Sequence, residues 1–254
     1  MPAGTSNTTT SDCPQHSALE SIGLHIIPGV LLTAVFLLIE PFVERMGYPP
    51  LLAFILAVLL IDIPFQPGIM YYQGKKLNGR YSLQGIVLYR EKTPWLQFII
   101  IFLVGVLLLF GLATLAMPAN SLLSQQLFSW LPDWIFLNDA AQYEAYSQGT
   151  LLVTFALFLI VTGVALPWVE ELYFRGFLMP RISRFKLLAP VISAFLFALY
   201  HVWQLFDFAT LFLSGLVFAF AVWWKRDVKL GISLHVFANV LARIMIFFLL
   251  LGNG

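Results

Sequence analysis

Long apolar runs, separated at short intervals by clusters of charge, set the pattern of this chain. A helix needs about 20 mostly apolar residues to cross a bilayer. Seven stretches qualify: Ile22–Phe42, Leu51–Met70, Trp95–Met117, Thr150–Pro167, Leu188–Leu205, Phe208–Trp224 and Leu230–Leu251. Only a tight turn near Asp207 divides the fifth from the sixth. The pattern predicts an all-α, polytopic membrane helix bundle of about seven spans. A polar tail over 1–18 precedes a single transmembrane domain over 19–254. The long connection 118–149 has no Lys or Arg, and its stretch from Leu122 to Phe136 reads as an aromatic-rich helix lying in the outer interface. That segment is an anchor in the simpler reading and a lid or gate in the sharper one.

Composition narrows the class. Of 254 residues, 60% are hydrophobic and 11% charged, against about 25% charged in soluble chains. Mean hydropathy is +0.86. So few charges exclude a soluble globular enzyme, a disordered chain and a nucleic-acid binder, which needs a concentrated basic face. The lone Cys13 excludes an intrachain disulfide and a cysteine metal site.

The placement of the charges says more than their number. Lys75, Lys76, Arg80, Arg90 and Lys92 follow the second span. Arg175, Arg181, Arg184 and Lys186 follow the fourth, and Lys225, Arg226 and Lys229 follow the sixth. These are twelve of the fourteen basic residues. The alternation predicts a cytoplasmic N-terminus in a lipid bilayer. The bacterial cytoplasmic membrane is the favoured location, and the endoplasmic reticulum is the alternative for a eukaryotic chain.

Ionisable groups inside spans are costly and are functional candidates by default. They gather late in the chain: Glu170, Glu171 and Arg175 after the fourth span, His201 in the fifth, and His235, Asn239 and Arg243 in the seventh. Glu171 and Arg175 are i,i+4 neighbours and can pair. His235, Asn239 and Arg243 recur every four residues, one polar stripe on one helix. Asp62 and Asp207 are the candidate partners of Arg243. Glu170 and His201 fall at about the same depth, His235 somewhat nearer the cytoplasm, and the set is expected to open toward the cytoplasmic side. Pro167 should kink its helix or begin a new one. A carboxylate in a dry pocket can act as general base on a water, and imidazole and carboxamide groups can stabilise an oxyanion. Glu170, His201 and His235 are alternatively a three-ligand set for catalytic zinc. Both routes end in amide hydrolysis.

At these residues the chain resembles the CPBP family of intramembrane proteases, which includes the Rce1-type CAAX endopeptidases and bacterial bacteriocin-immunity proteins. Three motifs carry the resemblance, in order: Glu170-Glu171-x-x-x-Arg175, Phe197-x-x-x-His201 and His235-x-x-x-Asn239. It covers roughly Pro167 to Arg243, and some relatives have eight spans rather than seven. The resemblance implies a catalytic core over 150–251. Glu170 would activate water, with Glu171 and Arg175 supporting it or contacting substrate. His201 would orient the water or polarise the scissile carbonyl, and His235 and Asn239 would form the oxyanion site. Arg175 and Phe197 are the candidate substrate-binding residues. The family has long been described as metal-dependent, yet no pattern of carboxylate or carbonyl partners orienting a metal-bound His is legible here, so no cofactor is expected and zinc is the alternative. The implied partner is a membrane-associated peptide or protein: a prenylated CAAX-like tail, a peptide precursor or a sorting segment. An ion- or proton-coupled transporter and a non-catalytic peptide-binding scaffold are the competing readings.

Overall fold

The computed structural model describes residues 13–137 and 140–252, so the first twelve residues of the polar tail lie outside it. Nine α-helices form among the described residues. They are α1 (Ala18–Arg45), α2 (Pro50–Leu60), α3 (Asp62–Asn78), α4 (Trp95–Leu122), α5 (Gln148–Phe158), α6 (Leu166–Glu170), α7 (Leu188–Tyr200), α8 (Phe208–Lys225) and α9 (Val228–Gly252). There is no strand among the described residues, only an isolated bridge between Arg90 and Asp227. The chain is a polytopic helical bundle, and among the described residues six stretches are long and apolar enough to cross a membrane. Leu107, Leu115 and Phe248 are among the large apolar side chains left exposed on its flanks.

Local chemistry sets the ends. Ser17 caps α1 by accepting from the Glu20 N–H, and Ser147 caps α5 by accepting from the Thr150 N–H. Pro50 opens α2, where its missing N–H costs nothing. Gly79 closes α3 in the left-handed conformation, at φ 70°.

The fifth predicted span is shorter than the apolar run suggests. The α7 helix has 13 residues and ends at Tyr200; a 3-10 turn over Val202–Asp207 follows. Thirteen residues rise about 20 Å, short of the about 30 Å of hydrocarbon. His201, at the C-terminal end of α7, is therefore held within the membrane rather than at its far surface. Gly29 lets α1 close against this helix end, since a Cβ there would run into the Tyr200 carbonyl.

The three basic connections meet at one end of the bundle. The Leu88 N–H donates to the Gly176 carbonyl at 2.8 Å, the Glu91 N–H to Arg226 at 2.9 Å, and the Val228 N–H to Tyr89 at 2.8 Å. The end of the tail joins them through the His16 N–H and the Arg181 carbonyl, 2.9 Å apart. Burial beside Arg181 and Arg184 pushes the His16 imidazole below its usual pKa, although Glu20 opposes this. One face thus carries the basic connections, as the charge alternation predicts.

The opposite face departs from expectation. No interfacial helix runs from Leu122 to Phe136. A π turn over Leu123–Leu127 extends α4, and 3-10 turns follow at Asp133–Ile135 and Ala140–Tyr143. Pro132 breaks any helix there. The aromatic groups fold onto the bundle instead: Trp134 stands edge-on to Phe36, with centroids 5.6 Å apart, and Phe136 lies against Phe206 at 4.6 Å.

Candidate active site

Glu170 and Glu171 fall where the fourth span leaves regular α geometry. A π-helical stretch over Leu159–Ala165 precedes α6, and a second over Glu171–Leu178 follows it. Pro167 stands in the first turn of α6, so it begins a new helix. π turns inside helices are rare and recur at functional sites. Here they flank Glu170, with Glu171 opening the second, and as neighbours on a helix the two carboxyl groups point in different directions. Glu170 lines a cavity of about 380 Å³ that Glu171 does not reach.

The wall behind the cavity is built from opposite charges. Glu171 Oε1 is 2.9 Å from Arg175 Nη1 and 3.0 Å from His235 Nδ1. The guanidinium lies over the Phe197 ring at 4.0 Å and reaches the Gly215 carbonyl at 3.4 Å. The i,i+4 pairing of Glu171 with Arg175 is present. Arg175 is fully buried and does not line the cavity. It therefore has no surface for a substrate, and a supporting role is the one its position allows. Phe197 does line the cavity.

His235 sits between the two carboxyl groups, level with them rather than nearer the basic face. Its Nε2 is 3.7 Å from Glu170 Oε2, and its ring stacks on Phe218 at 4.6 Å. A carboxylate can only accept, so the contact with Glu171 places a proton on Nδ1. The neutral ring then turns a bare Nε2 toward Glu170. His201 has the same polarity. Its Nδ1 lies 2.8 Å from the Phe197 carbonyl, also only an acceptor, and this leaves Nε2 bare on a residue lining the cavity. Asn239 donates one amide N–H to the Thr162 carbonyl at 3.2 Å. Its second N–H is free for another acceptor.

The stripe of His235, Asn239 and Arg243 all lines the cavity, but neither expected carboxylate pairs with Arg243. Asp62 is taken by Tyr200 and Asp207 by Gln204. Arg243 instead gives its Nε–H to Thr162 Oγ1 at 3.3 Å and lies over the Phe158 ring at 4.4 Å. The π turn at Leu159–Ala165 puts Thr162 within reach of both stripe residues.

Sequence reasoning overlooked the other side of Glu170. Span two breaks at Ile61, so Asp62 starts α3 and is fully buried. The Tyr200 hydroxyl donates to Asp62 Oδ2, Gln66 Nε2 donates to the same hydroxyl at 3.4 Å, and Glu170 faces it as well. Asp62 Oδ1, Gln66 Oε1 and Glu170 Oε1 are buried without a hydrogen-bond partner. Tyr200 directly precedes the motif His201, and Asp62 is the one acid inside span two; these were the available signals.

The cavity runs from Glu170 past Asn239 and Arg243 to Ile135, Leu137, Phe206 and Asp207. No residue of the basic connections lines it, so the site opens away from that face, not toward it. Among the described residues no three His, Cys, Asp or Glu side chains converge as a metal ion would require. Glu170, His201 and His235 share the cavity without making such a group.

Residues 152–241 match the family model described as type II CAAX prenyl endopeptidase Rce1-like. That stretch contains all three motifs, and the resemblance to CPBP proteases is borne out over it. No curated protein and no solved structure gave a match.

Proposed function

We propose that this chain is an intramembrane endopeptidase that hydrolyses a peptide bond of a membrane-associated substrate, using water activated by Glu170. The observation that carries the reading is one cavity, within membrane-crossing helices, lined together by Glu170, His201, His235 and Asn239. The family match over 152–241 supports the reaction class.

The steps follow from the donor and acceptor inventory. Glu170 takes a proton from a water that His201 Nε2 holds in place, and the water oxygen bonds to the scissile carbonyl carbon. The free Asn239 N–H meets the oxyanion, joined by His235 if its Nε2 gains a proton. Glu170 then passes its proton to the leaving nitrogen as the C–N bond breaks. Glu171, held between Arg175 and His235, fixes the imidazole and the backbone of the acidic pair. The reading takes no metal. It places the protein in the bacterial cytoplasmic membrane with its N-terminus in the cytoplasm.

Glu170→Gln keeps the shape and removes the base. Cleavage of a membrane peptide in proteoliposomes should fall by about 10²–10⁴-fold, with unchanged extraction and melting temperature. Undiminished cleavage would sink the assignment. Ion flux abolished by the same substitution, with no proteolysis, would favour a transporter. Elemental analysis of active protein tests the metal-free mechanism, and stoichiometric zinc would overturn it.

A further inference from the structure

The two ends of the cavity are closed to different degrees. On the basic face a plug lies between the site and water. Residues Ile86–Tyr89 are buried beneath the Glu171–Leu178 stretch. Leu88 is tied to Gly176 through the backbone, and Arg181 reaches back to the Ile86 carbonyl at 3.1 Å. The fit is close: a Cβ at Gly176 would stand 2.7 Å from Val87 Cγ1. The tail adds a second layer through His16 and Arg181.

On the flank, α4 and α9 touch near the basic face and part beyond it. They meet where a Cβ at Gly105 would stand 2.7 Å from Leu234 Cδ2, and where Phe102 faces Phe237 at 5.4 Å. Further from the basic connections the cavity occupies the space between them, with Phe110 and Ala113 on one side and Ala242 and Met245 on the other. Phe110 and Met245 are 51% and 55% exposed at this slot, on a flank that faces lipid. The slot's rim is apolar, as a lipid-facing opening must be to avoid stranding polar groups in hydrocarbon.

We infer that the substrate reaches Glu170 sideways, between α4 and α9, from the half of the bilayer opposite the basic connections. It is a membrane-spanning or lipid-anchored peptide whose scissile bond lies in that half. This rests on the protease reading for the word substrate, while the route rests on the shape of the cavity. With the basic connections cytoplasmic, the outer leaflet supplies the substrate. A prenylated tail presented from the cytoplasm meets the plug instead.

Access can be read without activity. In the full chain carrying Cys13→Ser, a single cysteine replaces Ser214, a cavity-lining residue on α8. Lys76→Cys, exposed on the basic face, reports orientation. A small membrane-impermeant methanethiosulfonate is added to intact cells and to inverted vesicles. Ser214→Cys should react from the side on which Lys76→Cys does not. Reaction from the same side as Lys76→Cys overturns the route. Reaction from neither side overturns it too, because a peptide strand needs a wider opening than the reagent. In a second arm, membrane peptides that accumulate uncut in Glu170→Gln cells are sequenced. Their lost cleavage sites should lie in the half opposite the basic connections, and sites in cytoplasmic tails overturn the proposal. If no peptide accumulates, the protease reading fails while the labelling still decides the route.

Discussion

Glu170 and Glu171 are adjacent in sequence yet belong to regions of opposite character. Around Glu171 the charges balance: a carboxylate, a guanidinium and an imidazole lie in contact, and Phe197 covers the guanidinium. Around Glu170 they do not. Asp62 and Glu170 share the surroundings of a single Tyr200 hydroxyl, and each keeps an oxygen without a partner. The first region works through charge rather than a complete set of hydrogen bonds, since Glu171 Oε2 and Arg175 Nε also lack partners. The difference separates two tasks that the sequence writes as one motif. The balanced wall holds geometry, and the acid-rich wall is where a proton has somewhere to go.

Arg175→Met is expected to have the largest effect. It strands Glu171 in a fully buried site, and breaking one partner of a buried pair costs about 3–5 kcal/mol. The melting temperature in detergent should drop sharply. The double variant Arg175→Met with Glu171→Gln should recover part of the loss, because no charge is then left unpaired. A single variant that melts like the parent would remove the brace from the comparison.

Asp62→Asn strikes the other wall and should leave the fold intact. The amide keeps the shape but no longer holds the Tyr200 hydroxyl as a charged acceptor. Misplacing a catalytic group costs up to about 100-fold, so kcat should fall about ten- to a hundredfold with KM unchanged, the mark of an interaction made only in the transition state. Tyr200→Phe should give a similar loss. A change in melting temperature alone would make this wall as structural as the first.

This division also decides how much could be read in advance. The apolar runs gave the helices and the basic clusters gave the face, because bilayer thickness and charge placement act on sequence directly. Glu170, His201, His235 and Asn239 were legible through motif spacing. Asp62 and Tyr200 were not, because their meeting depends on a break at Ile61 and on α7 stopping at Tyr200, both set by packing. The π turns around Glu170 left no periodic signature. The interfacial helix expected near Leu122 failed because aromatic side chains found partners on the bundle. The cavity's direction stayed hidden because the apolar run Ile86–Tyr89 announces burial but not where it docks, and its place beneath the Glu171–Leu178 stretch is set by packing.

Arg243 stands between the two regions and is the smallest test of their separation. Among the described residues it is the only Lys or Arg lining the cavity, so it is the available counter-charge to the acid-rich wall. Its one side-chain hydrogen bond goes to Thr162 Oγ1, while Asn239 is held by the Thr162 backbone carbonyl. Thr162→Val therefore releases Arg243 and leaves the Asn239 anchor in place. The hydroxyl also donates to the Phe158 carbonyl at 2.8 Å, so two hydrogen bonds are lost, each worth about 1 kcal/mol of stability, seen as a modest fall in melting temperature, with kcat unchanged. If kcat instead falls as far as in Asp62→Asn, the position of Arg243 governs the proton held near Glu170, and the cation belongs to the acid-rich wall rather than to the stripe alone.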